Sequence, residues 1–297
     1  MPIGNPRRDF DNVVANLSEF EKISQSELIL VFDSPQCPEI TLLSEKYSDN
    51  QNVIILQCCF GNPGEARNLG KAHSNGEWVS FVDSDDSIDF RNYYQMILEG
   101  NSTGAELIIG QYRVINEAGT VSDSTEVISY QSASKFIARN PGIWRLSFKI
   151  DMVNGIDFPG LRMAEDQVFL AKLRFWERNL WVSQLIVYTY RRNILGQLTR
   201  SKDAISDLIQ AQEITLDLFI NERPKSVGYR ILAVVVINQL LTSLKHLGVH
   251  GLVPLREICR VKGGIIPVLR IGTRLGWTML AETIHKTKKM KKASGTQ

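Results

Sequence analysis

Trp78-Val79-Ser80-Phe81-Val82-Asp83-Ser84-Asp85-Asp86 is an apolar segment that stops abruptly in three carboxylates. Residues 78–82 read as a buried strand, because aromatic and β-branched residues suit a pleated, covered surface. In open α/β sheets ligands collect at the carboxyl ends of strands, where Asp83, Asp85 and Asp86 then stand. Carboxylates packed this closely repel one another unless a cation shares them. Hard divalent ions such as Mg²⁺ or Mn²⁺ suit carboxylate oxygens and keep positions open for phosphate. The stretch therefore reads as a metal–diphosphate site at the end of a central strand. The other reading is an acidic loop capping the helix after Ser87, since Asp and Ser are ordinary N-cap residues.

Upstream, Gly61-Asn62-Pro63-Gly64-Glu65-Ala66-Arg67-Asn68-Leu69-Gly70 is a Gly/Pro-punctuated loop running into a helix that carries Arg67 and Asn68 on its first turns. Such a loop lets backbone approach a ligand, and a helix N-terminus favours phosphate. Arg67 adds a planar fork suited to phosphate or a nucleobase edge. A turn, a helix start and a solvated Arg would account for the same residues. The order is what counts: strand 52–56, glycine loop, helix, Gly76-Glu77 turn, strand 78–82, acidic cluster.

Further out, Phe10, Val13, Val14, Leu17 and Phe20 share one face of a helix predicted over 8–23. A strand over 27–32 ends in Asp33-Ser34-Pro35, a helix spans 38–47 and a strand 52–59. This alternation implies βαβ units and a parallel sheet. A helix over 91–99, strands over 105–116 and 121–129, and a helix over 132–139 follow. Residues 144–149 lead through Phe158-Pro159-Gly160 to a helix starting near Ala164. Glu165 and Asp166 fall in its first turn, where acids ordinarily offset the helix dipole.

These elements, in this order, resemble the family 2 glycosyltransferases of GT-A type. The resemblance is carried by Pro2-Ile3-Gly4-Asn5, the strand ending in Asp33, the Gly61–Gly70 loop, Asp83 to Asp86 and the Glu165-Asp166 pair, and reaches to near Arg200. It implies an α/β GT-A fold over 1–200, a mostly parallel sheet with flanking helices, and a helical C-terminal region over 201–297 with a basic tail. It also implies inverting transfer of a sugar from a nucleoside-diphosphate donor, a UDP-sugar first of all, with Mn²⁺ or Mg²⁺. The acceptor would be a hydroxyl of a saccharide or lipid-linked acceptor in surface glycan or polysaccharide synthesis. By the same resemblance Asp166 is the general base and Glu165 its support or an acceptor contact. Asp85 holds the metal with Asp83 or Asp86. Asp33 and Arg67 lie near the nucleobase, and Asp83 near the ribose or donor sugar. Arg191 or Arg192 touches the diphosphate, unless that loop is simply solvated. Asn68 is a further candidate, and Trp144 lines the acceptor site or is a core aromatic.

One element departs from the family pattern. The family's first strand begins several apolar residues before the Pro-x-x-Asn element, whereas Met1 stands inside it here and Gly4 replaces the usual Tyr. The expectation is a truncated first strand, with a non-catalytic binding subunit of the same fold as the alternative function.

Composition is that of an ordinary soluble protein, 43% hydrophobic and 22% charged over 297 residues. The net charge of +2 hides an asymmetry: from Gly251 onward ten Lys/Arg face two acids, so this segment carries +8 and the remainder −6. Cys37, Cys58, Cys59 and Cys259 have no metal-ligand spacing and read as buried, reduced thiols of a cytosolic protein. No cleavable leader pattern opens the chain, and the longest apolar run, 231–237, is too short to span a bilayer. Helices are predicted over 203–221 and 228–247, with a last one through Trp277 and Met279. The cationic stretch Lys286 to Lys292 is expected either to be solvated or to rest on an anionic membrane, making the protein cytoplasmic and peripheral to the inner face of the cell membrane. No aromatic–basic interleaving points to nucleic acid.

Overall fold

The computed structural model describes residues 1–115, 119–123, 133–191, 202–247, 250–251 and 254, with side chains of the helix starting at Lys202 described from residue 206. Arg192, Cys259, the expected strand beyond 123, the last helix and the lysine tail lie outside these residues.

The chain opens with a parallel layer. β1 (Pro2–Ile3) pairs with β2 (Leu28–Asp33), which pairs along its length with β3 (Val53–Cys58). Parallel neighbours need a crossover, supplied by α1 (Pro6–Phe20) and α2 (Pro38–Lys46). α1 starts before the expected residue 8 because Asn5 caps it, accepting the Arg8 N–H, and Pro6 needs no intrahelical donor. Val13, Leu17 and Phe20 close on Ile3, Leu30 and Phe32 to form this layer's core. α3 (Pro63–Ala72) covers the opposite face, Ala66 packing on Ile29 and Val31. Cys58 ends β3 half-buried and Cys59 is exposed, so the expected pair of buried thiols is corrected.

The second layer departs from a simple parallel sheet. β4 covers Trp78–Ser80 and pairs antiparallel with β8 (Leu146–Lys149). The strand order is β4-β8-β6-β9-β5, with β6 (Leu107–Ile115), β9 (Leu180–Arg191) and β5 (Ser87–Ile88); β7 (Val121–Asp123) adds to β6. Among these pairings β6–β9 is the parallel one. The α/β class holds, with parallel pairing confined to the first three strands and to β6–β9. After α4 (Phe90–Ser102) the regular strand–helix alternation lapses: α5 (Ala133–Arg139) is short, and β8 runs directly into the four-residue α6 (Ile150–Val153).

Phe81 and Val82 leave the ladder yet stay buried. Phe81 packs edge-on against Phe158 (centroids 4.9 Å) and Phe169 (5.8 Å), and Phe158 stacks on Phe169 at 4.0 Å. This aromatic cluster ties the chain after β4 to α7 (Glu165–Leu173), which brings the acidic loop alongside the start of that helix.

Two compact units divide the chain, Met1–Asp207 and Leu208–Gln297. α8 (Lys202–Asn221) runs across the division and α9 (Val227–Leu247) lies in the second unit. There, buried Gln212 donates to Ser243 at 3.0 Å and buried Gln239 to Thr215 at 3.2 Å, a polar ladder within an apolar helix pair. α9 extends well past the apolar run 231–237: by length and composition it could cross a membrane, with mean hydropathy 1.6, although half of that window is buried.

Candidate active site

The carboxyl ends of β1 and β2, the acidic loop after β4 and the loop entering α7 border one cavity of about 570 Å³. Asp33, Arg67, Asp83, Asp85, Asp86, Trp144, Glu165 and Asp166 all line it. Asn68 and Arg191 stand outside.

The acidic loop is held from two sides. Asp9 on α1 accepts the Ser84 hydroxyl at 2.9 Å and Arg8 Nε at 2.5 Å. Asn12 Nδ2 donates to the carbonyls of Ser84 and Asp86 at 2.7 Å each, and Asn16 Nδ2 to Asp86 at 2.9 Å. These residues went unnoticed in the sequence; the trace they leave is a polar stripe at helical spacing on a face of α1 that also buries Val13 and Phe20. From the other side, Tyr188 on β9 donates to Asp86 Oδ2 at 2.9 Å and accepts the Asp83 N–H at 3.2 Å.

The three carboxylates consequently differ. Asp86 is 1% exposed, and its second oxygen accepts the Arg191 N–H at 2.7 Å. Burial pushes its carboxyl up to about 8 against the pull of these hydrogen bonds. Both oxygens are engaged, so Asp86 anchors the loop to β9. Asp83 places Oδ1 on Arg67 Nη2 at 2.8 Å. Asp85 reaches the cavity with no ion pair among the described residues. Burial first, then Asp83 and Asp9, push it up to about 6, with Arg8 opposing.

Arg67 is 6% exposed in its side chain and bridges Asp83 and Glu165, with Nη1 to Glu165 Oε1 at 2.5 Å. Burial alone would lower its basicity; the two carboxylates more than offset this and leave it raised. The two terminal nitrogens of the guanidinium are engaged within the protein, and Arg67 still borders the cavity. Glu165 accordingly supports Arg67. Asp166, half-buried, turns Oδ1 to the N–H of Gln167 at 2.7 Å. Burial and then Glu165 push its carboxyl well above the usual carboxylate range, and Arg67 opposes them. The residue capping this helix, Ala164, has φ 62°, a left-handed conformation rare outside glycine and concentrated at functional sites.

Asp33 accepts the N–H groups of Phe60 at 2.5 Å and of Gly61 and Asn62 at 3.0 Å, so it moulds the glycine loop from within while bordering the cavity. Gly61, at φ +71°, supplies the turn this needs. Asn68 braces the segment before α7: it donates to the Phe158 carbonyl at 3.0 Å and accepts the Phe158 N–H at 2.9 Å. Arg191, which is not among the residues lining the cavity, donates from its guanidinium to the Ser87 hydroxyl at 3.0 Å. Trp144 stacks on Tyr188 at 4.4 Å and lies parallel to Tyr190 at 5.8 Å, giving the cavity a flat aromatic wall.

Among the described residues no three His, Cys, Asp or Glu side chains form a ready-made metal cluster. The donor set nevertheless suits one hard divalent ion. Asp85 is a carboxylate crowded by Asp83 and Asp9, and a cation beside it would relieve that repulsion.

A sequence model of glycosyl transferase family 2 matches residues 7–158. EpsH of Bacillus subtilis (strain 168), named as a glycosyltransferase, is 27% identical over 222 residues, 69% of this chain and 63% of its own. Poly(ribitol-phosphate) beta-N-acetylglucosaminyltransferase TarS of Staphylococcus aureus (strain Mu50 / ATCC 700699) is 27% identical over 152 residues, 48% of this chain and 26% of its own. This chain thus spans less than two thirds of the length of either relative. In fold it resembles the crystal structure of S. aureus TarS 1-349 in complex with UDP-GlcNAc, with TM-score 0.67 and 20% identity, covering 82% of this chain and 72% of that one. It also resembles a Pyrobaculum calidifontis mannosyltransferase in complex with GDP-Man and Mn²⁺, with TM-score 0.51 and 12% identity, covering 94% and 79%.

Proposed function

This chain belongs to glycosyl transferase family 2, and we propose that it inverts the anomeric centre of a nucleoside-diphosphate sugar as it transfers that sugar to an acceptor hydroxyl. A UDP-sugar is the donor to test first, because the TarS structures similar in fold hold UDP-GlcNAc and UDP. A saccharide or lipid-linked acceptor of a surface glycan is the acceptor class, by analogy with the relatives' names.

One observation carries this reading: a single cavity holds a carboxylate on the acidic loop with no ion pair among the described residues, Asp85, and a carboxylate raised above its usual range on an opposing helix, Asp166. A sugar hydroxyl is a poor nucleophile until a carboxylate takes its proton. Asp166 receives that proton, the acceptor oxygen bonds to the anomeric carbon, and the bond to the diphosphate oxygen breaks with its electron pair leaving on the diphosphate. Such a base contributes about 10²–10⁴-fold. Asp85, with Asp83 beside it, would hold Mn²⁺ or Mg²⁺, and a bound ion supplies charge neutralisation for the leaving group. Arg67 and Glu165 keep the two carboxylate-bearing segments in place. Trp144 and Tyr190 offer a flat apolar face to a sugar ring. A cytoplasmic enzyme resting on anionic lipid through its cation-rich C-terminal segment completes the proposal.

Calorimetric titration with UDP and GDP, in Mn²⁺ and then in chelator, tests the donor site. Metal-dependent binding of one nucleotide supports it. A folded sample that binds neither would turn the reading toward a non-catalytic member of the family.

A further inference from the structure

The helix after the glycine loop presents one continuous stripe, Gly64, Arg67, Asn68 and Lys71, at helical spacing. Every member of the stripe meets the segment 153–165 that leads into α7. A side chain at Gly64 would stand 2.3 Å from the Pro159 carbonyl, so α3 and this segment are in backbone contact. Asn68 makes its two-way bond to the backbone of Phe158. Lys71 Nζ donates to the carbonyls of Val153 at 3.3 Å and Ile156 at 2.5 Å and pairs with Asp157 at 2.9 Å. Arg67 lies 5.6 Å over the Phe158 ring and ends on Glu165.

We propose that Arg67 is a positioning residue for the transfer reaction, clamping the donor-side carboxylate Asp83 and the base-bearing helix α7 into one rigid unit through Asp83 and Glu165. Two features support this. Both terminal nitrogens are used inside the protein, one for each carboxylate. A guanidinium can grip two carboxylates at once from a fixed fork, which the single nitrogen of a Lys cannot reproduce. The clamp therefore sets the relation between Asp83, at the leaving-group side, and Asp166, one residue beyond Glu165.

The inference rests on the proposed roles of Asp166 and Asp85 for its catalytic meaning but not for its structural content, and the test separates the two. Arg67→Lys and Glu165→Gln are compared with the wild type by hydrogen exchange over residues 158–173, by calorimetry with UDP in Mn²⁺, and by turnover of whichever of UDP-GlcNAc and UDP-glucose the wild type consumes. Both variants are expected to exchange faster over 158–173, and Glu165→Gln, which leaves the Arg67–Asp83 pair in place, to keep UDP affinity at the wild-type value. Turnover should fall roughly 10²-fold at unchanged donor KM, the cost of a small misplacement of reacting groups. Weakened UDP binding with unchanged exchange over 158–173 would overturn the proposal and return Arg67 to the nucleotide. Should Arg67→Lys fail to fold, Glu165→Gln reads the same clamp from its other end, and wild-type exchange in that variant overturns it equally. Failure of the Asp166 assignment would show instead as an active Asp166→Asn enzyme, with both exchange results intact.

Discussion

A carboxylate serves as a base only while ionised, and the surroundings of Asp166 act on that state in opposite directions. Burial and Glu165 raise its affinity for a proton, whereas Arg67 lowers it. The net shift is upward, so kcat/KM should rise with pH through a limb lying above the ordinary carboxylate range and should be lost as the medium is acidified through it. A limb at an unshifted carboxylate value would exclude Asp166 from that role. Asp166→Asn keeps the shape of the side chain without its basicity, so transfer should fall about 10²–10⁴-fold while UDP still binds. Loss of both properties together would place Asp166 in the donor site instead. Asp85→Asn makes a different prediction. If Asp85 holds a divalent ion, this change weakens nucleotide binding in Mn²⁺ and leaves binding in chelator as it was; an equal loss in both media would mean that Asp85 meets the nucleotide without a metal.

Among the elements, α3 determines how these carboxylates meet, and its Gly64 is the most constrained point. A methyl group there meets a backbone carbonyl at 2.3 Å, which no side-chain rearrangement relieves. Gly64→Ala should therefore cost about 1–3 kcal/mol of stability, as overpacking does, read as a lower midpoint in chemical denaturation. Gly61→Ala, with open space around it but φ +71°, should lose stability through backbone strain instead. The local part of α3 was legible: Asn62 as cap and Pro63 at the first turn announce a helix whatever surrounds it. Its partners were not. Arg67 meets Glu165 across 98 positions and Asn68 meets Phe158 across 90, and neither residue type betrays whether it faces a ligand or a distant loop. For the same reason the alternation up to β4 revealed the parallel layer, while the antiparallel β8 could not be read. β4 itself stops at Ser80, and Phe81 beyond it packs on aromatic partners. The acidic cluster is legible in the sequence, but only tertiary contacts with Tyr188 and α1 separate the buried Asp86 from Asp85 at the cavity.

At the scale of the molecule, charge and chemistry are segregated along the chain. The proposed donor and base residues all lie in the unit Met1–Asp207, whereas the +8 segment from Gly251 belongs to the other unit. Lysines near an anionic bilayer contribute about 1 kcal/mol each, and the attraction is screened within roughly 10 Å at 0.1 M salt and roughly 3 Å at 1 M. Five lysines fall between 286 and 292, enough to hold the protein on a charged surface at moderate salt and to release it at high salt. α9 offers a competing source of attachment, since Leu241 and Leu244 are exposed on an apolar helix, and apolar contact would persist in high salt. Removing residues 286–297 should therefore reduce sedimentation with vesicles rich in phosphatidylglycerol at about 0.1 M salt, and neutral phosphatidylcholine vesicles should retain neither form. UDP affinity should be the same in both forms, because the truncation leaves the first unit untouched. Sedimentation that survives both the truncation and high salt would move the attachment from the lysines to the apolar face of α9.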